Sequence, residues 1–296
     1  MALLPVIHAL HRDRPDVRVT FLLSPVGASL LRPVLGQRHI VSVARSVVSG
    51  PLSLRYLPAL VSRLTLFSFR KYDTALIAFD ETTVSHIAAA CVAHRRIGFA
   101  AGINRGEFFL TEKLAFSPKR PVYDLLYDLA RSIEGVAPDM PQPVLPGRYR
   151  ASSKYGEIHA HASTSLQMWT GVMSLVPALE KVSGFPWIVR YGPNDGRDLA
   201  TFVKNLAGAQ IALTMHSGPL HVAAALGVPV VGLAGPTAFE WDPPGAVVLR
   251  QGLACQPCGR IGRPARTCWR NDQTCLSHFS VTNILETVRS VLRKSQ

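Results

Sequence analysis

A short stretch in the last third of the chain combines residues that can bind an anion. His216, Ser217 and Gly218 form a polar turn between an apolar strand, Ile211 to Thr214, and a predicted helix that begins near Pro219. Proline suits the first helical position, because its ring fixes a helical φ and no needed N–H is lost there. Free backbone N–H groups and the positive end of the helix dipole attract anions at such a turn. An isolated Ser-Gly-Pro sequence can also be only a tight turn, so the neighbouring elements must decide.

Those neighbouring elements predict a strand–helix–strand unit. The helix extends to Leu226, where Gly227 suits a left-handed C-terminal cap and Pro229 prevents continuation. A second apolar strand, Val230 to Ala234, follows. Two strands joined by a helix lie parallel, so the unit predicts a parallel sheet with the polar turn at its strand ends.

The first half of the chain alternates between helices and strands in the same way. It opens on a helix in MALLPVIHALHRDRPD, and strands are predicted in VRVTFLLSP, HIVSVA, TALIAFD and RIGFA. Further helices are predicted in GASLLRPVLG, SLRYLPALVSRLTLFSFRKYD, TTVSHIAAACVAHR and RPVYDLLYDLARSIEGV, and residues 102–118 are irregular. A parallel sheet normally starts with a strand. We therefore expect a strand and a turn, roughly fifteen to thirty residues, upstream of Met1.

A proline-rich segment separates this half from a second α/β half. We place an N-terminal domain at residues 1–137, a linker at 138–150 and a C-terminal domain at 151–296. The second domain is predicted to hold strands in YGEIHAHAS and WIVRYGP, helices in WTGVMSLVPALEKV and DLATFVKNLAGA, and a last helix from about Val281 to Arg293. Two α/β domains with a cleft between them bind ligands beyond their strand ends.

Composition limits the classes of protein that remain. The chain has 296 residues, 48% of them hydrophobic, and no uncharged apolar run of about eighteen residues that could span a membrane. A net charge of +13 suggests acidic partners, but no arginine-rich run with interleaved aromatic residues indicates a nucleic-acid surface. Five cysteines on a chain of this size do not form a secreted disulfide framework, which favours the cytoplasm.

Cys255, Cys258, Cys268 and Cys275 form the pattern C-x2-C-x9-C-x6-C. Four thiols within so short a loop could hold a tetrahedral zinc ion, although the second pair is too widely split for a standard zinc ribbon. Free thiols or a redox-labile pair are the favoured interpretation.

Other candidates have structural explanations that compete with functional ones. His159 and His161 share a strand face and could bind a metal, but no third ligand is nearby and we favour a structural role. Asp80 and Glu81 end a strand, where capping the next helix is the favoured role. Glu240 and Asp242 either contact a ligand's hydroxyl groups or fix their own loop.

The segment SGPLHVAAALGVPVVGLAGPT, followed by a Pro-Pro-Gly loop and CxPCG, resembles glycosyltransferase family 9, the heptosyltransferases of lipopolysaccharide-core assembly. The resemblance implies two Rossmann-like domains in the α/β GT-B arrangement, with parallel sheets facing a central cleft and the terminal helix packing back toward the first domain. It also implies a nucleotide-sugar donor, ADP-heptose or another, bound mainly by the C-terminal domain. Such enzymes need no metal or other cofactor, because helix N-termini and basic groups stabilise the departing diphosphate while a carboxylate deprotonates the acceptor.

Carried onto this chain, the resemblance places the donor around three turns. The implied donor-binding residues are Ser163, Thr164, Gln167, His216, Ser217, Gly218, Pro219, His221, Gly235, Pro236 and Thr237. Gln167 falls at or beside the family's phosphate-binding lysine, and His216 replaces its usual aspartate, so the donor can differ from ADP-heptose. Arg148, Arg150 or Lys154 could take over the phosphate role. The family's catalytic Gly-Asp turn lies before the helix at Met1, so the catalytic residue is unknown here.

The resemblance implies a lipid-linked anionic glycan acceptor, reached by peripheral contact with the inner membrane face from the cytoplasm, and no nucleic acid. Two alternatives remain at this point. A non-catalytic or truncated homologue would bind the nucleotide-sugar, or an acidic glycolipid, without turnover. A basic nucleic-acid-binding protein would follow from charge alone.

Overall fold

The structure, a computed structural model, describes residues 3–35, 40–42, 72–78, 83–100, 105–137, 145, 154–162, 164–190, 199–261, 265 and 267–295. The chain divides into two compact units. One comprises residues 6–139, and the other comprises residues 140–296 together with residues 1–5. The predicted linker at 138–150, the predicted helix in SLRYLPALVSRLTLFSFRKYD, and Asp80 and Glu81 lie wholly or mostly outside the described residues.

The first unit contains short parallel sheets and helices, as its alternating pattern predicts. Its strands are β1 (Phe21–Leu23), β2 (Ile40–Ser42), β3 (Tyr72–Ile77), β4 (Ala93–Phe99) and β5 (Glu112–Leu114). Its helices are α1 (Leu4–Asp13), whose first two residues belong to the other unit, α2 (Pro25–Leu35), α3 (Thr83–Val92) and α4 (Val122–Arg131). β1 pairs with β2, and β3, β4 and β5 form a second sheet, all in parallel. The prediction of irregular structure at 102–118 was wrong for β5 and for a 3-10 turn at Arg105–Phe109, because both are too short to show a period.

The second unit is built on one parallel sheet of five strands in the order β10-β9-β8-β6-β7. The strands are β6 (Gly156–His159), β7 (Trp187–Arg190), β8 (Ile211–Met215), β9 (Val230–Leu233) and β10 (Val247–Leu249). The helices are α5 (Val176–Ser183), α6 (Leu199–Gly208), α7 (Gly218–Leu226), α8 (Thr274–Ser277) and α9 (Val281–Lys294). β10 was missed because only three residues of the loop after β9 are extended. The predicted helix around Trp169 begins instead with a 3-10 segment, Thr170–Leu175.

The predicted strand–helix–strand unit is confirmed as β8, α7 and β9. Every residue of β8 is buried, so the strand lies in the centre of the sheet and shows no alternation. α7 ends at Gly227, whose φ of 72° is the left-handed conformation that glycine adopts without strain. The turn between β8 and α7 therefore lies at the carboxyl edge of the sheet, next to the turns that follow β6 and β9.

A buried ion network joins β6 and β7, the two strands at one edge of this sheet. The Glu157 carboxylate is fully buried and accepts hydrogen bonds from Arg190 Nη2 at 2.9 Å and Nε at 3.1 Å. Its other oxygen lies 2.9 Å from His159 Nε2. Because β6 ends at His159, His161 is not on a strand face with it, which corrects that part of the prediction. His159 is held structurally by Glu157 and by edge-on contact with the Phe202 ring.

The terminal helix α9 contributes Ile284, Val288 and Val291 to the main core of the second unit. Its first turn is capped by the Ser280 hydroxyl, which accepts a hydrogen bond from the Asn283 N–H. Among the helices in the described ranges, none combines the length and the hydropathy required to cross a bilayer.

Candidate functional site

Three turns at the carboxyl edge of the five-stranded sheet bring the predicted donor residues together. Thr164 and Gln167 follow β6, residues 216–219 follow β8, and residues 235–237 follow β9. Since β8 lies between β6 and β9, its turn is flanked by the other two. Ser163 lies outside the described residues.

The outer two turns are tied to each other by side chains. Gln167 Nε2 donates a hydrogen bond of 2.9 Å to the Thr237 hydroxyl. Gln167 Oε1 accepts a longer one, of 3.4 Å, from the Thr164 hydroxyl. Gln167 therefore acts as a bridge between the two turns that lie on either side of the central turn.

The central turn presents the N-terminus of α7. Ser217 is the N-cap, but its side chain makes no capping hydrogen bond, and its hydroxyl donates weakly to the carbonyls of Met215 and His161 at 3.4 Å. Gly218 is exposed, and a Cβ built on it would meet nothing within 4 Å. Pro219 lies in the first turn, as predicted. This helix end is uncapped by any side chain of the described residues, which is the arrangement that binds anions.

His216 is not open to a ligand from all sides. Its side chain is 2% exposed, and Nε2 lies 2.8 Å from Asp242 Oδ1. Arg250 donates to both oxygens of the same carboxylate, at 2.6 Å and 2.8 Å. Of the two roles considered for Asp242, the structure therefore shows loop fixation.

The Asp242 carboxylate stays ionised in this setting. Burial raises its pKa, but the hydrogen bonds from His216 and Arg250 outweigh burial and hold the pKa below its usual value. The Arg250 side chain is only 9% exposed, so its charge acts mainly on Asp242. Sequence reasoning missed Arg250 because it follows β10, the strand that was not recognised.

His221 lies on the first turn of α7 and contacts the His216 ring edge-on, with centroids 5.8 Å apart. Burial, together with the nearby His216, lowers the pKa of His221 to about 3. The imidazole is therefore neutral at physiological pH and can offer a phosphate a hydrogen bond but no charge.

The turn after β9 is held in place by hydrogen bonds from the loop that follows β10. Gln256 Nε2 donates to the carbonyl oxygens of Ala234 and Gly235, each at 2.7 Å. A Cβ on Gly235 would approach the Leu276 side chain to 2.8 Å, so any larger residue at this position would force Leu276 to shift. The Pro236 carbonyl accepts from the Gly259 N–H at 2.8 Å. Gly235 and Pro236 are both buried, and their backbone contacts position Thr237.

Several other candidates do not join this site. Lys154 is exposed but precedes β6, so it lies at the amino edge of the sheet, away from the three turns. Arg148 and Arg150 are outside the described residues. The four clustered cysteines are free thiols, and within the described ranges no three His, Cys, Asp or Glu side chains are grouped so that they could hold a metal ion.

Comparison with known proteins agrees with the resemblance read from the motifs. The sequence model of glycosyltransferase family 9 (heptosyltransferase) matches residues 197–266, which include the central and β9 turns. Lipooligosaccharide heptosyltransferase 2 of Campylobacter jejuni is 28% identical over 101 residues, which cover 33% of this chain and 30% of that protein. The chain therefore matches less than a third of the length of this curated relative.

Solved structures share the fold over nearly the whole chain. The E. coli heptosyltransferase WaaC with ADP-2-deoxy-2-fluoro heptose has a TM-score of 0.73 at 15% identity, covering 97% of this chain and 95% of its own. A glycosyltransferase family 9 structure from Veillonella parvula has a TM-score of 0.68 at 14% identity, covering 99% and 93%. The predicted GT-B-like α/β fold class is confirmed, and so is the resemblance to glycosyltransferase family 9.

Proposed function

We propose that this protein is a glycosyltransferase similar to the heptosyltransferases, and that the three-turn edge of its second unit binds the nucleotide-sugar donor. The observation that carries the proposal is the open N-terminus of α7 at Gly218, flanked by the neutral side chains of Gln167 and His221. A diphosphate placed there accepts hydrogen bonds from backbone N–H groups and interacts favourably with the helix dipole.

The same geometry describes how the donor would react. As the bond between the sugar and the diphosphate breaks, negative charge grows on the phosphate oxygens that face α7, and preorganised N–H donors stabilise it. His221 adds a neutral hydrogen-bond donor, since its low pKa keeps it unprotonated. In this proposal, transfer needs no metal, and a carboxylate still to be identified accepts the proton from the acceptor hydroxyl.

The electrostatics of the described residues distinguish this site from one built on a lysine. Gln167 carries no charge, and the Arg250 guanidinium is paired with Asp242. We propose ADP-heptose as the first donor to test, because a WaaC structure contains an ADP-heptose analogue, with other nucleotide-sugars as competitors. The proposed acceptor is a lipid-linked anionic glycan at the cytoplasmic membrane face, which fits the net charge of +13.

Calorimetric titration of the full chain with ADP-heptose, GDP-mannose and UDP-glucose tests donor binding. The proposal expects at least one donor to bind, and transfer to purified lipooligosaccharide from a core-deficient strain to follow in a product assay. Binding without any transfer would favour a non-catalytic homologue, whereas no binding of any nucleotide or nucleotide-sugar would overturn the proposal.

A further inference from the structure

An aromatic ring is held in a fixed, exposed position beside the three turns. Phe239 lies two residues after Thr237, in a single 3-10 turn, Phe239–Trp241, and 52% of its surface is exposed. Thr237 is itself fixed by Gln167. The ring therefore follows β9, the strand next to β8, and the proposed diphosphate site lies between β8 and α7.

One face of the ring is supported by a guanidinium group. The Arg250 guanidinium lies over it, 4.3 Å from the centroid, in a cation–π contact. Asp242 clamps that guanidinium with two hydrogen bonds, and the Asp242 N–H is bonded to the Phe239 carbonyl at 2.9 Å. This closed set of contacts orients the ring before any ligand arrives, which lowers the entropic cost of binding to it.

A carboxylate stands next to the ring. Glu240 is half-buried, and in the part of the chain that the structure describes its side chain has no ion-pair or hydrogen-bond partner. An aromatic face packs against the C–H face of a sugar ring, and a carboxylate accepts hydrogen bonds from sugar hydroxyls. A diphosphate oxygen would instead be repelled by Glu240.

We propose that Phe239 and Glu240 form the subsite for the glycosyl group of the donor, which rests on the proposed function of the same edge. The glycosyl group is bonded directly to the diphosphate, and adjacent parallel strands lie about 4.8 Å apart. A diphosphate at the end of β8 therefore places its sugar within reach of the turn after β9. Phe239 would then select for a sugar with an unhindered C–H face, and Glu240 for the arrangement of hydroxyls on its edge.

The test compares a nucleotide-sugar with its nucleotide. Phe239→Ala should weaken binding of ADP-heptose roughly three- to tenfold while leaving ADP within about twofold, because only the sugar meets the ring. Phe239→Trp should restore most of the loss, and Glu240→Gln should also weaken ADP-heptose selectively. Phe108→Ala, at an 84% exposed phenylalanine of the first unit, is the matched control and should change neither affinity.

The possible results distinguish a failure of this subsite proposal from a failure of the proposed donor site. If the parent chain binds no nucleotide and no nucleotide-sugar, ADP and ADP-heptose included, the proposal that this edge binds the donor fails. If the parent binds ADP-heptose and Phe239→Ala lowers both affinities equally, the ring contacts the nucleotide and the subsite proposal is overturned. A raised KM for the glycan acceptor with unchanged donor affinity would overturn it too, since the ring would then serve the acceptor.

Discussion

The Gln167 side chain donates a hydrogen bond of 2.9 Å to the Thr237 hydroxyl, so the turns after β6 and β9 are joined across the end of the strand between them. This contact gives a neutral side chain two tasks. It joins two turns, and it leaves the central turn, where we propose that the diphosphate binds, with a neutral side chain beside it.

Replacing Gln167 by Lys separates those two tasks. The variant should lose the bond to Thr237 and about 0.5–1.5 kcal/mol of unfolding free energy. It should nevertheless bind ADP-heptose more tightly, roughly three- to tenfold, because an ammonium group attracts the diphosphate. Urea unfolding and calorimetry at two salt concentrations measure the two effects. Gln167→Met is the control, since it loses the bond without adding a charge, and tighter binding by that variant would contradict the electrostatic explanation.

Gly218→Val tests whether the backbone of the central turn meets the ligand. No atom lies within 4 Å of the added Cβ, so the unfolding free energy should change by less than about 0.5 kcal/mol. Binding of ADP and ADP-heptose should nevertheless be abolished, since the side chain blocks close approach to the N–H groups. Gly218→Ala should give an intermediate loss. Undiminished binding by Gly218→Val would show that the turn is structural.

The family's aspartate cannot simply be restored at His216. The carboxylate that His216→Asp introduces would face the partly buried Asp242 carboxylate, and the variant should lose about 2–3 kcal/mol of unfolding free energy at neutral pH despite Arg250. Adding Asp242→Asn removes the repulsion, so the double variant should recover at least half of that loss. Because Gln167→Lys alone is already expected to raise ADP-heptose affinity, the triple variant that adds it to the double variant should gain affinity as well. Thermal denaturation at pH 7.5 measures the stabilities of the single and double variants. Equal stability of the two would contradict the prediction that Asp242→Asn removes a repulsion.

The low pKa of His221 predicts a pH-dependent stability. The unfolded chain binds a proton near the ordinary pKa of 6.5, whereas the folded chain does so only near 3. Between these values the unfolded state holds more protons, so stability is complete above pH 6.5 and falls as the pH is lowered. The contribution of His221 to this fall is about 1.4 kcal/mol per pH unit.

Urea unfolding of the parent and of His221→Gln at pH 4.5, 5.5, 6.5 and 7.5 isolates this contribution. The parent curve should fall more steeply than the variant curve below pH 6.5, and the two should run parallel above it. Parallel curves over the whole range would show that His221 titrates normally in the folded protein.

The clustered thiols should differ in reactivity. A hydrogen bond from the Gln273 backbone lowers the pKa of Cys268, whereas burial and the neighbouring thiols raise the pKa of Cys275 to about 11. Iodoacetamide at pH 7.5 should therefore modify Cys268 at least about tenfold faster than Cys275, as mass spectrometry of peptides would measure. Pretreatment with a chelator should not alter the order. If chelation exposes all four thiols together, the zinc hypothesis for this loop is revived.

The sequence predicted the central unit well because its signals are local. The buried strand, the proline at the helix start and Gly227 at its end lie within one short segment, and each acts on its own neighbours. The contacts of the site could not be predicted in the same way. His216 and Arg250 both bond to Asp242 only because β8, β9 and β10 lie side by side, and β10 is too short to recognise. The bond between Gln167 and Thr237 likewise depends on strand order, which periodicity does not encode.

The hydrogen bonds that Gln256 donates to the carbonyl oxygens of Ala234 and Gly235 limit how this protein can be re-engineered. The turn Gly235-Pro236-Thr237 is short enough to transplant as a segment. However, the carbonyl groups at its start accept their hydrogen bonds from Gln256, which lies well beyond it in the chain. A transplant of the β8–β9 segment into another scaffold would leave those oxygens without donors, and the turn would relax. Designers who exchange donor specificity between relatives should therefore move the segment together with the loop through Leu276, whose side chain fills the space beside Gly235.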